Sequence, residues 1–143
     1  MDLIEQQQKT QESIYHKVAV KFGLSDTALW ILYILSDGKA EHTQQEFCRR
    51  CCFSKQTVNT AVSKLVQNGF VILEDLNGSR KHKNVILTES GKELAENTAK
   101  PLREAEIRAY ERLSEEELKA FLDISSRLNE FLRAETENLQ GVK

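Results

Sequence analysis

The sequence has 143 residues, of which 40% are hydrophobic and 29% are charged, and its formal net charge at pH 7 is −2. This length and composition predict a soluble globular protein of one compact domain, or of one domain with helical extensions. The longest apolar run, Ala28–Leu35, is too short to span a bilayer, and the first residues lack the layout of a secretory signal. We therefore expect a cytoplasmic protein whose three clustered cysteines stay reduced, which excludes a disulfide framework.

Charge is distributed unevenly along the chain. Residues 1–42 carry four basic and six acidic side chains, residues 43–87 carry seven and three, and residues 88–143 carry nine and thirteen. The central third therefore has an excess of positive charge between two acidic flanks. This asymmetry favours a polyanionic partner, although the net charge alone does not.

The first two predicted elements are helices, over residues 1–22 and over about 26–36. Gly23 is suited to end the first helix, and Ser25 or Asp26 is suited to cap the second. The second helix is apolar on nearly every side, so we expect its neighbours to bury it.

The next segment has the pattern of a helix-turn-helix. Thr43 begins a capping-box pattern and predicts a short helix over about 44–50. A three-residue turn, Cys51–Phe53, then leads to Ser54, which is suited to cap a helix over about 55–68. The apolar residues of this last helix share one face and are Val58, Ala61, Val62, Leu65 and Val66.

Two short β-rich runs follow, Phe70–Glu74 and Asn84–Leu87. The loop that joins them contains Asn77-Gly78, a strong hairpin-turn signal. A hairpin directly after a helix-turn-helix makes the motif winged.

Two long helices are predicted for the rest of the chain, over about 88–112 and 114–138. Thr88 begins the first helix, Pro101 is expected to kink it, and Ser114 begins the second with a capping box. Their apolar stripes are larger than the small central domain can bury, so we expect the chain to self-associate. The predicted fold is mainly α with a small β-hairpin wing, that is, a winged helix-turn-helix DNA-binding lobe with a helical dimerisation domain.

The helix over 55–68 has a polar face without acidic residues. No Asp or Glu occurs from Phe47 through Leu73, although acids make up 22 of the 143 residues. Amides, hydroxyls and lysines contact base edges and phosphates in a DNA major groove, where the phosphates would repel a carboxylate. The face is therefore a candidate DNA-binding surface, the alternative being a solvated face that lacks acids by chance. It consists of Gln56, Asn59, Thr60, Ser63, Lys64 and Gln67, with Lys55 at its exposed N-terminal end.

A basic cluster, Arg80-Lys81-His82-Lys83, falls on the predicted hairpin tip. A basic loop by itself is usually only solvated. At this distance after a helix-turn-helix, however, it lies where a wing straddles the DNA backbone or enters the minor groove. The combination favours DNA binding.

The segment from Gln45 to Leu94 resembles the DNA-binding core of the MarR family of bacterial transcription regulators. Three short motifs carry the likeness: the Ser-x-x-Thr-Val start of the recognition helix at Ser54–Val58, the "LVQNGFV" exit into the first wing strand, and the "LTESG" junction at Leu87–Gly91. Their order and spacing are more specific than any one of them.

The resemblance implies a two-fold homodimer, in which residues 1–24 and 88–143 form a helical dimerisation region and residues 25–87 form the DNA-binding lobe. Many members of the family are repressors that release DNA when a small aromatic or phenolic ligand, a metal or an oxidant binds near the hinge between lobe and dimerisation domain. The family's DNA-contacting positions, together with the basic residues of the helix and the wing, predict an interface of Ser54, Lys55, Gln56, Thr57, Asn59, Thr60, Ser63, Lys64, Arg80, Lys81 and Lys83.

Two positions depart from the family pattern. Ser79 stands where the family usually has an acidic residue that holds the wing arginine in place. Thr60 stands where a recognition-helix arginine is usual. Wing geometry and operator sequence are therefore not carried over from the family at these positions.

Cys48, Cys51 and Cys52, with His42 nearby, raise a second interpretation. They could form a thiol or metal sensor whose oxidation or metallation moves the recognition helix, and two neighbouring arginines would lower their pKa values. Against the family pattern, however, Cys48 and Cys51 fall at core positions, which favours packing. Cys52 is expected to be more exposed and is the candidate redox residue. No metal site and no cofactor are predicted.

Other residues that could bear chemistry are scattered. His16, His42 and His82 are expected at surface or packing positions. Trp30 and Tyr33 could line an effector pocket, although aromatic residues on an apolar helix more often belong to the core. No Ser/His/Asp order, carboxylate pair, glycine-rich phosphate loop or zinc-protease motif occurs, so we do not expect an enzyme.

The sequence thus predicts a DNA-binding transcription regulator, specifically a ligand-responsive repressor that binds a pseudo-palindromic operator as a homodimer. One alternative is a thiol- or metal-responsive regulator that uses the three cysteines. The other is a winged-helix adaptor that binds an acidic protein partner.

Overall fold

A computed structural model describes residues 2–142. In this part of the chain, helices surround a single two-stranded antiparallel hairpin, which confirms the predicted fold class. The chain divides into two compact units, one ending at Glu104 and the other beginning at Ala105. The elements in chain order are α1 Asp2–Lys21, α2 Asp26–Leu35, α3 Gln44–Cys51, α4 Lys55–Gln67, β1 Val71–Leu76, β2 Ser79–Leu87, α5 Glu89–Asn97, α6 Ala99–Tyr110 and α7 Glu115–Glu137.

The main core of the first unit joins the helix-turn-helix to the hairpin. It contains Ile31 of α2, Phe47 of α3, Val62 of α4, Val71 of β1 and Val85 of β2, all of them almost fully buried. Burying an aliphatic or aromatic side chain of this size stabilises a fold by about 1.5–3 kcal/mol relative to leaving it exposed. The position of the hairpin relative to α4 is therefore fixed by shared packing.

A second cluster holds α1 to the same unit. Ala19 of α1, Leu29 of α2 and Leu102 of α6 are buried together. No single helix within residues 2–142 is long and apolar enough to cross a membrane. Only α1 and α2 taken together, across an 84° bend, reach the required length and composition.

The predicted helix caps are present. Ser25, Ser54 and Ser114 each accept a hydrogen bond from the backbone N–H three residues later. At Ser114 the Glu117 carboxylate also accepts from the Ser114 N–H at 2.7 Å, which completes the predicted capping box. Gly23 ends α1 in the left-handed region, with φ at 69°.

The capping box predicted at Thr43 is only half formed. Thr43 accepts from the backbone N–H of Glu46 at 3.2 Å. The Glu46 carboxylate is instead directed to His42 and Arg50, at 2.9 and 3.1 Å. Ion pairs therefore replace the reciprocal bond.

The wing strands are longer than predicted. Asn77 and Gly78 form the turn, with φ angles of 51° and 73°, the signature of a type I′ hairpin. Because β2 begins at Ser79, the basic cluster Arg80–Lys83 lies on a strand and not on a loop at the tip, which corrects the prediction. The register shifts between the Leu76–Ser79 and Asp75–Lys83 pairs, so residues 80–82 bulge from the ladder.

The single helix predicted over 88–112 is two helices broken at Thr98. Pro101 has no N–H to donate to the carbonyl of Asn97, and its ring crowds that carbonyl. The backbone therefore leaves helical geometry at Thr98, where φ is −130° and ψ is −71°. Pro101 was expected to kink one continuous helix, and it instead divides the segment into α5 and α6.

Hydrogen bonding and steric crowding explain the residues of the "LTESG" junction at Leu87–Gly91. The Thr88 hydroxyl donates to the carbonyl of Gly69 at 2.6 Å, and its N–H donates to the carbonyl of Phe70 at 3.0 Å. A Cβ on Gly91 would lie 1.9 Å from the Phe70 carbonyl oxygen. Only glycine permits α5 to begin this close to the end of α4.

Candidate nucleic-acid interface

The predicted DNA-facing side of α4 is on the surface. Gln56, Asn59 and Ser63 are exposed, and so are Lys55, Lys64 and Gln67. The opposite side of the helix enters the core through its apolar stripe, which sets the orientation of the polar face. One residue assigned to that stripe, Val66, is 39% exposed and lies at its edge.

The hydroxyl residues at the start of α4 are engaged in the helix itself. Ser54 accepts from the Thr57 N–H at 3.1 Å, and the two hydroxyls lie 2.8 Å apart. The Thr60 hydroxyl donates to the carbonyl of Gln56 at 3.0 Å. These side chains retain acceptor capacity towards a ligand, whereas the amides of Gln56 and Asn59 are available both to donate and to accept.

The basic residues of the wing differ in exposure and in ion pairing. Arg80 and Lys81 are exposed, and the Lys81 N–H donates to the Ser79 hydroxyl at 3.3 Å. Lys83 is half-buried and forms an ion pair with Asp75 on β1, because the hairpin register places the two residues opposite each other. Lys83 is therefore a partly neutralised cation.

The matching family model supplies the deciding comparison. The MarR family model matches residues 22–81, a range that contains α2, α3, α4 and most of the wing. Over this range the chain is similar to the MarR family. Among curated proteins, none matches the chain by sequence.

Solved MarR-family structures share the fold over almost the whole chain. A MarR family regulator from Neisseria meningitidis gives a TM-score of 0.81 at 19% sequence identity, covering 96% of this chain and 97% of that chain. A putative MarR family transcriptional regulator from Listeria monocytogenes, complexed with 26mer DNA, gives 0.70 at 17% identity, with coverages of 97% and 95%. Staphylococcus aureus MarR in complex with salicylate and kanamycin gives 0.67 at 16% identity, with coverages of 94% and 90%. At these identities the likeness establishes the fold.

Two depressions extend this candidate surface beyond the predicted residues. Gln44, Gln45 and Arg49 of α3 line one of them together with Lys55. Arg49 was not among the predicted DNA contacts, although it lies in the same acid-free segment. The other depression joins the start of α2 to the polar face of α4 and is lined by Ser25, Thr27, Gln56, Thr57, Thr60, Ala61 and Lys64.

The cysteines occupy two kinds of position in the helix-turn-helix. Cys48 and Cys51 are half-buried and pack against the main core, as predicted. Burial raises the pKa of Cys51 and outweighs the opposite influence of Arg50, so the expectation of a lowered pKa is wrong for this thiol. Cys52 is exposed and ends α3 with a φ of 54°. Its redox role stays a prediction.

A partly buried cluster of His42 with charged side chains lies between α2 and α3. His42 is buried, which confirms a packing position for it. Its Nδ1 lies 2.9 Å from Glu46 Oε2, and its Nε2 lies 3.0 Å from Asp37 Oδ1. Arg50 bridges the outer oxygens of both carboxylates, at 3.3 Å from Asp37 and 3.1 Å from Glu46. Within residues 2–142 this is the one grouping of His, Cys, Asp and Glu compact enough to hold a metal ion, and the Arg50 guanidinium already supplies a cation there.

A cavity of about 650 Å³ opens between α1, α2 and α3. Tyr15 and Trp30 line it, with their ring centroids 4.9 Å apart, and Glu12 and His16 contribute to its polar lining. Tyr33, in contrast, packs against the core beneath the Arg103 guanidinium, which lies 4.0 Å from its ring centroid. Of the two aromatic residues considered for an effector pocket, only Trp30 lines this cavity.

Proposed function

We propose that this protein is a DNA-binding transcription regulator, not an enzyme, that acts in the cytoplasm as a homodimer on a pseudo-palindromic operator. The observation that carries the proposal is the exposed, acid-free face of α4, which a common core holds next to a basic wing. A carboxylate-free surface of amides, hydroxyls and lysines fits a groove between rows of phosphates. The L. monocytogenes protein of the same fold is described in complex with a 26mer DNA, which supports this reading.

The proposed roles divide between base readout and phosphate binding. Gln56 and Asn59 would read base edges, because amides can donate to and accept from one base at the same time. Lys64 and Lys81 would contact phosphates, which position the protein without specifying sequence. Arg80 would act in the minor groove or on the adjacent backbone. The remaining predicted contacts in the major groove are Ser54, Lys55, Thr57, Thr60 and Ser63.

Dimerisation is proposed from the helices of the second unit. No residue of α7 is buried, and the apolar residues that it exposes lie on one side of the helix. A closed two-fold dimer would cover these faces and present two copies of α4 to half-sites about one turn of DNA, or roughly 34 Å, apart. The apolar residues at least 47% exposed from α6 onwards are Ile107, Tyr110, Leu113, Phe121, Leu122, Ile124, Phe131, Leu132, Leu139 and Val142.

The assignment of roles predicts two different responses to alanine. Gln56→Ala or Asn59→Ala should lower affinity for the selected operator by about 1–3 kcal/mol per contact and leave affinity for random DNA nearly unchanged. Lys81→Ala should weaken binding to both DNAs and reduce the slope of log K against log salt by about one unit for each phosphate that is no longer neutralised. Fluorescence anisotropy with operators selected from random DNA, titrated with salt, measures both quantities.

Lys83→Ala is the matched control, because Asp75 already neutralises much of the Lys83 charge. It should reduce the salt slope less than Lys81→Ala does. Equal losses on operator and random DNA for all of these variants would contradict the roles. An absence of duplex affinity at low salt would instead favour an adaptor that binds an acidic protein.

We further propose that the cavity beside Trp30 receives the effector, so that the protein is a ligand-responsive repressor. The cavity joins α1 to α3, so an aromatic ligand that packs in it against Tyr15 and Trp30 would bias the position of the helix-turn-helix. A phenolic or aromatic acid that releases the operator should quench the fluorescence of Trp30, the single tryptophan. Trp30→Leu should retain operator binding and lose release, whereas unchanged release in Trp30→Leu would place the effector elsewhere.

A further inference from the structure

The wing is attached along the outer edge of β2 to the residues that precede α3. The Val85 N–H donates to the carbonyl of His42 at 2.8 Å. The Asn84 side chain makes two more bonds. Its oxygen accepts from the His42 N–H at 2.8 Å, and its NH₂ group donates to the carbonyl of Ala40 at 3.2 Å. Two adjacent residues of β2 thus hold the last part of the α2–α3 connection.

The Asn84 amide takes the place of backbone groups in a sheet ladder. Within residues 2–142, the bond from Val85 is the one backbone hydrogen bond between the connection and β2, and residues 40–42 are not a strand. A third strand would pair through alternate N–H and C=O groups. Asparagine is suited to replace them, because one amide carries both a donor and an acceptor. Without this side chain, a single bond would remain.

The segment that Asn84 holds leads directly into the helix-turn-helix. His42 is buried, and its Nδ1 lies 2.9 Å from Oε2 of Glu46 on α3. Thr43 follows and caps α3 by accepting from the Glu46 N–H at 3.2 Å. Helix α3 in turn packs against α4 in the main core, where Phe47 is fully buried. The Asn84 bonds therefore connect the wing to the helices that set the place of α4.

The basic part of the wing is bonded within the wing itself. Lys83 pairs with Asp75 of β1, and the Lys81 N–H donates to the Ser79 hydroxyl. The bulge of residues 80–82 lies between these two points and contains Arg80. A tilt of the hairpin about residues 84 and 85 would therefore carry the bulge with it.

We propose that Asn84 is a positioning residue that fixes the wing against the helix-turn-helix, so that Arg80 meets the DNA while α4 lies in the major groove. The operator part of this inference rests on the proposed function. Without the amide, the buried His42 N–H loses its acceptor, which favours displacement of the connection from β2. The wing then keeps its pairing with β1 but is no longer held at one angle to α4. Asn84 thus acts on DNA through Arg80 and not by a contact of its own.

A double-mutant cycle of Asn84 and Arg80 tests this coupling, with operator affinity measured by fluorescence anisotropy. In the original protein, Arg80→Ala should lower the affinity about tenfold. In an Asn84→Ala or Asn84→Val background it should lower the affinity at most about threefold, because the arginine is already misplaced. Valine has a high strand propensity and alanine a low one, so agreement between the two backgrounds excludes an effect of strand stability. Asn59→Ala on α4 should cost the same factor in every background.

Asn97→Ala is the matched control for the loss of an amide. The Asn97 NH₂ group donates to the carbonyl of Glu93 at 2.9 Å, a bond that lies within α5. In this background Arg80→Ala should keep its full effect. A full Arg80→Ala effect in both Asn84 backgrounds would reduce Asn84 to a structural role and overturn the proposal. An unchanged affinity in Arg80→Ala itself would overturn the operator part, because the wing arginine would then have no contact to position.

Amide hydrogen exchange in the DNA-free protein tests the attachment without the operator. In Asn84→Val the His42 and Val85 amides should each lose about tenfold or more in protection, after correction for intrinsic exchange rates. The Thr88 amide, which donates to the carbonyl of Phe70 at the base of the wing, should keep its protection. Loss at His42 and Val85 in a protein without operator affinity would reject the proposed function and retain the attachment. Unchanged protection at these two amides, or an equal loss at Thr88, would overturn the attachment.

Discussion

Asn59→Asp is expected to lower affinity for the operator by about 100-fold, with a large loss on random DNA as well. The substitution exchanges an amide NH₂ for a carboxylate oxygen of nearly the same size. It removes a donor to a base edge, which costs about 1–3 kcal/mol per contact, and brings a negative charge between two rows of phosphates. A two-fold dimer loses the donor twice, which costs about 2–6 kcal/mol, and the charge repulsion adds to this loss.

The structure allows this loss to be separated from misfolding. Asn59 is exposed, and the stability of α4 rests on its opposite face, so the thermal unfolding of the variant should match that of the original protein. Anisotropy at a fixed salt concentration measures the affinity. Gln7→Glu is the matched control, because it adds the same charge to an exposed position of α1 and should change operator affinity only slightly.

A near-normal affinity for Asn59→Asp would show that α4 does not enter the groove. An equal loss in Gln7→Glu would show that only the net charge of the protein matters. The alanine variants distinguish contacts to bases from contacts to phosphates. Asn59→Asp tests whether an acidic residue on α4 is incompatible with DNA binding, which would explain why the segment from Phe47 to Leu73 contains none.

The sequence was sufficient to predict the structural features that depend only on residues near one another in the chain. The caps at Ser25 and Ser54, the turn at Asn77-Gly78 and the buried stripe of α4 all follow from local spacing, and all are present. The exposure of Asn59 follows from the same helical period, because a residue one position after Val58 must leave the core face.

Features that depend on pairing between distant residues were not predicted. The segment Ser79–Lys83 has no β-rich alternation of its own, and it is held to β1 by the pairing of its two ends, Ser79 with Leu76 and Lys83 with Asp75. The same register places Asp75 opposite Lys83, so one of the predicted wing cations is partly neutralised. The Asp37–His42 contact depends on the path of the α2–α3 connection, which residue spacing does not encode.

The break at Thr98 is an intermediate case. Pro101 is the predicted cause of the irregularity, but a complete break between two helices was not predicted. The division of the chain into a dimerisation region and a DNA-binding lobe stays a prediction, because it concerns contacts between two copies of the chain.

A charge on the apolar side of α7 tests the proposed dimerisation region and is also expected to have a large effect. Phe121 is 60% exposed, and Leu122 and Leu132 near it on the same side are 64% and 49% exposed. In the proposed dimer these side chains are buried against the partner. The opposite side of α7 carries exposed i,i+4 ion pairs, such as Lys119 with Glu115, which have no need of a partner.

Phe121→Glu should raise the dissociation constant of the dimer by about 100-fold or more. Each of the two unpaired carboxylates would enter an apolar interface at a cost of at least about 1–3 kcal/mol, and the aromatic packing would also be lost. Analytical ultracentrifugation measures the mass, and operator affinity should fall in parallel, since one lobe contacts only one half-site. Ser126→Glu, on the polar side of the same helix, should remain dimeric and bind the operator.

Because α7 buries none of its residues within one copy of the chain, the monomer that Phe121→Glu releases should keep its helical content. A Phe121→Glu protein that stays dimeric would place the dimer interface on another surface, and a chain that is monomeric before any substitution would remove the need for a pseudo-palindromic operator.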